Sequence, residues 1–287
     1  MKSKVLDSFI DRHLGLRDID EQNMLRKLGF NNIDEFIDKV IPEDIQLKDK
    51  SSELLPQGCS EAEALNELEK IANKNIKMRS LIGLGYYETY MPKVIQRHVL
   101  ENPRWYTSYT PYQAEIAQGR LEALFNFQTI ICELTGFSVS NASLLDEGTA
   151  ASEAMAMSFA ARKNQSANVF LVEANVFDHS FNVLLTRAKP LGITLKRFNQ
   201  KDLQNYNDVF GILIQLPGKN GELFDPEFLI SQVHRSDIIV TAIIDPLAQV
   251  LIKPIAQFGV DVAVGSMQRF GVPMGFGGPH AAFFACS

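Results

Sequence analysis

Hydrophobic and polar positions follow one pattern in residues 1–80 and another in the rest of the chain. In the N-terminal part, apolar residues such as Leu6, Phe9 and Ile10 recur at helical spacing. Helix starts are marked by a capping side chain three positions before an acid, in the pairs Asp18 with Glu21, Asn32 with Glu35 and Ser60 with Glu63. Gly29 is a suitable helix end. We therefore expect residues 1–80 to form a helical N-terminal arm.

Beyond residue 146, short apolar runs alternate with stretches of helical spacing. The predicted strands cover residues 169–172, 193–198, 211–216, 238–245, 260–265 and 280–285. The predicted helices cover residues 114–134, 149–163, 178–188 and 226–234. Apolar strands that alternate with helices are typical of a buried, largely parallel sheet. The fold class is therefore α/β, and we expect residues 81–287 to form a large domain with a mainly parallel sheet flanked by helices.

Composition excludes several classes of function. The chain has 287 residues, of which 46% are hydrophobic, and a chain of this length needs no disulfide or metal to stabilise its core. A net charge of −6 and the lack of a basic run argue against nucleic acid as a partner. The three cysteines and five histidines have no metal-ligand spacing. No apolar stretch has the length of a membrane span or the form of a signal peptide, so we expect a cytoplasmic protein with no membrane partner.

The carboxyl ends of the predicted strands are where a ligand site is expected in such a sheet. Gly148 and Thr149 lie where a helix begins, so that backbone N–H groups there can hold an anion, although Thr149 can equally be an ordinary N-cap. Asp245 closes a strand and suits a protonated ring nitrogen of a cofactor such as pyridoxal phosphate, or it caps the next turn. His179 can stack on a planar cofactor, or simply lie at a helix start.

Two aromatic-rich segments precede the sheet. The first, GLGYYETYMP, contains Tyr86 and Tyr87, and the second, NPRWYTSYTPYQ, contains Tyr109, Thr110 and Tyr112. Loops so rich in aromatic hydroxyl groups either line a site or pack against another surface, such as a subunit interface. We therefore treat these five residues as active-site or interface candidates.

Four stretches of the sequence closely resemble one family. They are GLGYYETYMP, ENPRWYTSYTPYQAEIAQGRLEALFNFQT, DEGTAASEAM and GSMQRFGVPMGFGGPHAAFFA, in this order along the chain. Together they resemble the N-terminal half of the glycine dehydrogenase (decarboxylating) family, the P-proteins of the glycine cleavage system. The resemblance runs along nearly the whole chain and implies the fold of the fold-type I pyridoxal-phosphate enzymes.

The resemblance also implies a function. Members of this family are oxidoreductases that decarboxylate glycine on pyridoxal phosphate and transfer the aminomethyl group to the lipoyl arm of H-protein. The implied partners are lipoylated H-protein, glycine and the C-terminal half of the P-protein, either fused or as a separate subunit. The family's N-terminal half continues into a small C-terminal domain, so we expect this chain to be a fragment truncated before that domain. The alternative is a non-catalytic scaffold half, which only buries and orders the catalytic half.

One position departs from the requirements of a cofactor enzyme. The resemblance aligns Gln268 with the lysine that forms the Schiff base, and a glutamine amide cannot form an imine. Lys253 is the only lysine after Asp245, and we expect it to lie in a helix, poorly placed for that role. We therefore expect pyridoxal phosphate to be bound covalently by the C-terminal half and not by this chain. The residues expected to contribute across the interface are Tyr86, Tyr87, Tyr109, Thr110 and Tyr112.

Overall fold

The computed structural model describes residues 13–47, 56, 58–107, 109–200 and 207–287. Its contacts divide the chain into two units, Met1–Ser80 and Leu81–Ser287. The helical spacing of Leu6, Phe9 and Ile10 lies outside the described residues.

The described part of the first unit contains the helices α1 (Asp18–Leu28), α2 (Ile33–Val40) and α3 (Glu61–Ala72). Two of the predicted capping pairs begin helices. The Asn32 side chain accepts a hydrogen bond from the backbone N–H of Glu35 at 2.8 Å, at the start of α2. Ser60 and Glu63 form a reciprocal capping box at the start of α3. Both arrangements satisfy backbone N–H groups that the first helical turn leaves without a partner.

Helix α1 begins differently from the prediction. Its N-cap is Arg17, whose side chain makes no capping hydrogen bond, and Asp18 lies inside the first turn. A carboxylate there still stabilises the helix, because the N-terminal end carries a partial positive charge. The predicted end is confirmed, since Gly29 follows α1 in the left-handed conformation, with φ of +83°.

The second unit is built on a seven-stranded sheet with the order β1-β7-β6-β5-β4-β2-β3. The strands are β1 (Val139–Ser140), β2 (Val169–Glu173), β3 (Thr194–Phe198), β4 (Val209–Leu216), β5 (Ile239–Ile244), β6 (Val262–Ser266) and β7 (Ala282–Cys286). The neighbouring strand pairs β3-β2, β2-β4, β4-β5 and β5-β6 are parallel, whereas β7 is antiparallel to both β6 and β1. The sequence pattern does not predict β1, because two residues carry no periodicity.

Helices of the second unit flank this sheet. They are α5 (Ala114–Thr135), α6 (Glu147–Ala161), α7 (Asp178–Ala188) and α8 (Glu227–His234), whereas α4 (Lys93–Leu100) has no buried residue. One hydrophobic cluster packs Ile212 and Ile214 of β4 against Val233 of α8. A second cluster packs Leu213, on the other face of β4, against Ala154 of α6 together with residues of α7. The core therefore covers both faces of the sheet, which confirms the predicted α/β class with a mainly parallel sheet flanked by helices.

The expectation that Lys253 lies in a helix is wrong. It lies in an irregular segment between two short 3₁₀ turns, Ala248–Val250 and Ile255–Phe258. Its ammonium group pairs with the Glu227 carboxylate and lies 4.4 Å from the centroid of the Phe258 ring. The pair joins this segment to the first turn of α8, so the lysine is engaged in a structural contact.

Among the described helices, none has the length and apolar character needed to cross a membrane.

A glycine in β6 is required by the close approach of its neighbours. A Cβ atom at Gly265 would lie 2.3 Å from the backbone oxygen of Ile244 in β5 and 2.9 Å from the Phe283 ring in β7. A backbone oxygen in a central strand cannot move aside without breaking the sheet. We expect Gly265→Ala to lower the free energy of unfolding by about 2–3 kcal/mol, as overpacking of a core does, and urea denaturation measures this change.

The control is Gly119→Ala in helix α5, where a Cβ atom would meet no atom within 4 Å. Because alanine favours a helix over glycine, we expect this variant to match the original chain or to gain up to about 1 kcal/mol. Equal stabilities of the two variants would contradict the packing argument.

Candidate functional site

Two adjoining cavities lie where the carboxyl ends of β4, β5 and β6 meet the start of α6. Cavity A has a volume of about 260 Å³ and cavity B of about 150 Å³. Their walls have in common the residues Gly85, Glu147, Ser266 and Gln268. This is the edge of the sheet at which a ligand site is expected for parallel strands.

Most of the candidate residues predicted from the sequence meet at this edge. Tyr87 and Asp245 line cavity A, and Gln268 lines both cavities. Those that line cavity B are Tyr86, Gly148 and His179. The sequence pattern therefore selects residues that lie together at this edge, although the contacts of each side chain differ from the simplest expectation.

The start of α6 is capped from within the chain. The N-cap is Asp146, not Thr149, and its Oδ1 accepts a hydrogen bond from the Thr149 backbone N–H at 2.7 Å. Gly148 is buried, and a Cβ atom there would lie 3.2 Å from Cγ2 of Val183 in α7. Gly148 thus allows two helices to pack closely. An external anion at this helix end would have to compete with Asp146 for the Thr149 N–H.

Glu147 forms part of the wall between the two cavities. Its Oε1 accepts a long hydrogen bond of 3.4 Å from Ser180 Oγ. Burial raises the pKa of Glu147 to about 7, and the nearby carboxylates of Asp245 and Asp146 act in the same direction. Sequence analysis does not single out Glu147, because an acid in the first turn of a helix is an ordinary arrangement.

Asp245 is paired with a cation of the same chain. Its Oδ2 accepts hydrogen bonds from Arg269 Nε at 3.2 Å and lies 3.1 Å from Arg269 Nη2. Its Oδ1 accepts from the Leu247 backbone N–H at 2.9 Å. The Arg269 guanidinium lies 5.0 Å from the centroid of the Tyr87 ring, within cation–π range. Asp245 therefore caps a turn, as one of the two alternatives predicts, and also binds an arginine.

His179 belongs to an aromatic cluster in cavity B. Its ring stacks on Phe177 with centroids 5.3 Å apart and an interplanar angle of 20°, and lies 5.3 Å from the Tyr86 ring. Tyr86 also makes an edge contact with His280 at 6.2 Å. Burial lowers the pKa of His179, which favours the neutral ring. Within this chain, the flat face of the imidazole already contacts a phenylalanine.

Two buried glutamines complete the wall of cavity A. Gln215 lies near the carboxyl end of β4, and its Oε1 accepts a hydrogen bond from the Phe177 backbone N–H at 3.0 Å. Gln268 donates its backbone N–H to Ser266 Oγ at 3.3 Å and its Nε2 to the Pro279 oxygen at 3.4 Å. Gln215 is missed by motif searches. A single polar residue inside an otherwise apolar strand is the signal that could have found it.

Glu173 supports Gln215 from the neighbouring strand β2. Its carboxylate accepts from the Gln215 backbone N–H at 3.3 Å and from Gln200 Nε2 at 2.6 Å. Burial raises the pKa of Glu173, and these hydrogen bonds act in the opposite direction. The back of cavity A is thus a hydrogen-bonded network that holds Gln215 in place.

The second aromatic segment lies elsewhere on the unit. Tyr109 lines a separate groove of about 590 Å³ together with Trp105 and Arg120, and this groove shares no lining residue with cavities A and B. Arg120 donates one hydrogen bond to the backbone oxygen of Tyr109 and another to that of Thr107, and the Tyr109 hydroxyl donates to Gln113. Thr110 is exposed, and Tyr112 is 73% exposed. The structure therefore does not bring this segment to the strand ends.

The part of the chain that the structure describes contains no group of three or more His, Cys, Asp or Glu side chains arranged to hold a metal ion. The polar groups that meet at the strand ends are carboxylates, amides, hydroxyl groups, one guanidinium and the Lys219 ammonium group. Their chemistry is that of hydrogen bonding and charge pairing.

Comparison with known sequences gives a consistent result. A family profile described as "Glycine cleavage system P-protein" matches residues 11–287. A glycine dehydrogenase (decarboxylating) from Prochlorococcus marinus is 59% identical over 99% of this chain, and one from Nostoc punctiforme is 51% identical over 99%. The chain spans only about 30% of the length of these relatives.

Comparison with solved structures agrees. The crystal structure of a glycine decarboxylase (P-protein) of the glycine cleavage system, in an inhibitor-bound form, superposes with a TM-score of 0.82 at 30% identity. The match covers 94% of this chain and 62% of that one. A glutamate decarboxylase from Lactobacillus brevis has a TM-score of 0.58 at 12% identity, over 85% of this chain and 61% of its own, and shows the fold alone. The likeness to the P-protein structure confirms the fold that the sequence resemblance implies.

The environment of Glu147 predicts a pH-dependent stability. Its ordinary pKa of 4.5 is raised to about 7 in the folded chain, so folding favours the protonated form. Ionisation of Glu147 therefore lowers the free energy of unfolding progressively as the pH rises from 4.5, and this effect is complete above pH 7. We expect Glu147→Gln, which removes the charge, to raise the free energy of unfolding by about 1–3 kcal/mol at pH 8 and to leave it nearly unchanged at pH 4.

The matched control is Glu153→Gln, in the same helix, where the exposed carboxylate pairs with Arg187 at 2.6 Å. Exposed ion pairs contribute little, so we expect a change within about 1 kcal/mol at pH 8. Urea denaturation at both pH values measures the effect. A gain for Glu147→Gln that is as large at pH 4 as at pH 8 would contradict the desolvation argument.

Proposed function

The chain belongs to the glycine cleavage system P-protein family, and we propose that it is the N-terminal portion of a glycine dehydrogenase (decarboxylating) that acts together with a C-terminal half. The whole enzyme would decarboxylate glycine on pyridoxal phosphate and transfer the aminomethyl group to the lipoyl arm of H-protein. The relatives at 59% and 51% identity support this proposal, because they align with almost the whole of this chain.

The residues of this chain do not fit covalently bound pyridoxal phosphate. That cofactor needs a lysine for the Schiff base, a free carboxylate for its ring nitrogen and hydrogen-bond donors for its phosphate. At the aligned positions, Gln268 offers an amide, and Asp245 is paired with Arg269. At the start of α6, Asp146 already accepts from Thr149, and a phosphate there would meet two acids.

The observation that carries the proposal is Gln268, which is buried and hydrogen-bonded at the lysine position. We propose that the C-terminal half binds the cofactor covalently and that this chain supports that half. The chemistry of the reaction then belongs to the partner. This chain would contribute shape, buried area and the side chains that reach across the contact.

Segment 81–116 has the composition of such a contact. Its large exposed side chains include Leu81, Ile82, Leu84, Tyr90, Tyr106, Tyr112 and Ile116. Large exposed apolar side chains that form a patch mark interaction sites, and tyrosine is enriched among the residues that dominate binding. We propose that the C-terminal half covers this segment.

The hydroxyl groups of Tyr86 and Tyr87 favour direct participation of this chain in the reaction over a scaffold role. Tyr87 lines cavity A and remains 50% exposed, and Tyr86 lines cavity B and remains 37% exposed. Tyr86 contacts His179 and Tyr87 contacts Arg269, and each side chain stays partly exposed. A partner that closes over the cavities would meet both phenolic groups.

Reductive labelling tests where the cofactor is held. We expect sodium borohydride treatment in the presence of pyridoxal phosphate, followed by peptide mass spectrometry, to label one lysine of the C-terminal half stoichiometrically and none in this chain. Stoichiometric labelling of a lysine in this chain alone would contradict the proposal and would indicate an independent fold-type I enzyme.

Gln268→Lys sharpens the same experiment. Because Asp245 and the start of α6 are engaged within the chain, we expect the new lysine to remain without a stoichiometric label. Labelling of residue 268 in this variant would mean that the missing lysine is the only obstacle, and that the surrounding residues do fit the cofactor.

Replacing the two tyrosines separates participation from scaffolding. We expect Tyr86→Phe with Tyr87→Phe, assembled with the C-terminal half, to lower the kcat of glycine turnover at least tenfold while assembly is unchanged, since only hydroxyl groups are removed. The control is Tyr90→Phe, in the same segment, whose side chain is 92% exposed. Unchanged turnover in the double variant would favour the scaffold alternative.

A further inference from the structure

Two apolar residues of the second unit have a backbone conformation that suits glycine. Among the described residues, three that are not glycine have a positive φ, namely Leu84 at +56°, Asp237 at +56° and Phe276 at +59°. Aspartate tolerates the left-handed region, and Asp237 also pairs with Lys163 at 2.6 Å. Leucine and phenylalanine have no short polar group that could compensate locally, so the same conformation lowers the stability of the chain there.

The two apolar residues lie in tight turns of the same kind. In the turn of residues 83–86, the N–H of the last residue donates to the oxygen of the first at 2.9 Å, and in the turn of residues 274–277 it does so at 3.0 Å. In each turn both central residues have a positive φ, as a type I′ turn requires. Asparagine and glycine are favoured at these positions. Each turn therefore holds a large apolar side chain where a smaller residue would be more stable.

Both turns adjoin cavity B. Leu84 lines this cavity, and the second turn leads to His280, which lines it as well. The rings of Tyr86 and His280 are in edge contact, with centroids 6.2 Å apart. A Cβ atom at Gly271 would lie 3.0 Å from the backbone oxygen of Tyr90, so the two segments also approach closely further along. The two turns thus belong to one surface of the second unit.

The Phe276 ring points into solvent from its turn. Within the part of the chain that the structure describes, this residue is 99% exposed, whereas Leu84 is 51% exposed. The turn is closely packed on itself, because a Cβ atom at Gly275 would lie 2.2 Å from the Gly278 oxygen. A large aromatic side chain on a tight turn has little freedom to lose when it is bound. These are the properties of an anchor residue in a protein–protein contact.

The surrounding contacts favour the C-terminal half as the partner that covers this ring. Segment 81–116, which we propose that this half covers, is joined to the segment of Phe276 by a hydrogen bond of 2.8 Å from the Thr89 hydroxyl to the Val272 oxygen. A partner that covers one segment therefore meets the other. The relatives of this chain also contain the additional chain that such a contact needs, since this chain spans only about 30% of their length.

We propose that Phe276 is an anchor residue that inserts its ring into an apolar pocket of the C-terminal half. Residues 270–279 carry no charged side chain, which matches the apolar core of a protein–protein contact. The strained turn then has a function, because it holds the ring away from its own chain. This inference rests on the proposed function, since it takes the C-terminal half as the partner.

Phe276→Gly separates stability from binding. Glycine adopts the left-handed conformation freely and the isolated chain loses no buried surface, so we expect an equal melting temperature or one raised by up to about 4 °C. Association with the C-terminal half, measured by isothermal titration calorimetry, should weaken by about tenfold or more, because a buried aromatic anchor is lost. A residue that only stabilises the fold would instead lower the melting temperature.

Two further variants complete the comparison. Phe276→Ala removes the ring without adding the flexibility of glycine, and we expect it to weaken association as much as Phe276→Gly does. The control is Leu191→Ala, at a 46% exposed position just before β3 and therefore at the opposite edge of the sheet. Its association should stay within about twofold of that of the original chain, as for an ordinary surface substitution.

The outcomes distinguish this inference from the proposed function. Unchanged affinity in both variants of Phe276, with normal association of the original chain, would overturn the anchor role alone. No association of the original chain with the C-terminal half would contradict the proposed function and overturn the inference with it. Analytical ultracentrifugation of this chain alone tests the other partner. A dimer that dissociates in Phe276→Gly would assign the ring to a second copy of the chain and would also overturn the proposal.

Discussion

The burial of three neighbouring parallel strands on both faces is the constraint on which the rest of the structure depends. Strand β4 is buried along its whole length, and β5 and β6 are almost fully buried beside it. Parallel strands buried in this way need helices on both faces, and the connections place all their carboxyl ends at one edge. Gln215, Asp245 and Gln268, which lie far apart in sequence, meet for this reason. The close approach of β5 and β6 at Gly265 keeps these two strands in register. This register aligns Asp245, which follows β5, with Gln268, which follows β6.

Because these polar groups meet in a largely buried region, each of them needs a hydrogen-bond or charge partner there. A buried charge without a partner is strongly unfavourable, so Asp245 binds Arg269 and Asp146 binds the Thr149 N–H. These internal contacts occupy the groups that would otherwise face a ring nitrogen and a phosphate. The same physical requirement therefore stabilises the chain and supports our proposal that the C-terminal half, and not this chain, binds the cofactor.

The sequence predicts well whatever depends on local spacing, and less well whatever depends on distant contacts. The alternation of strands and helices is confirmed, and Gly136 ends α5 in the left-handed conformation, as its place after that helix suggests. The sequence leaves open whether Thr149 is an N-cap, and the structure gives that position to Asp146, because both residues suit a cap and only their geometry separates them. The pairing of Asp245 with Arg269, and the place of Glu147 between the cavities, arise from tertiary packing that leaves no local pattern. The Tyr109 segment resembles a site in composition, yet it packs around Arg120 away from the strand ends.

Segment 81–116 links the exposed apolar surface to the cavities. The Thr89 hydroxyl donates to the Val272 oxygen at 2.8 Å, and Tyr87 lies over Arg269, so the segment is attached to the glycine-rich region after β6. Its next tyrosine, Tyr90, is 92% exposed. A partner that buries Tyr90 would therefore press on residues that line cavity A. Through Arg269 that contact reaches Asp245 at the carboxyl end of β5, so association with a C-terminal half would act on the side chains that line cavity A.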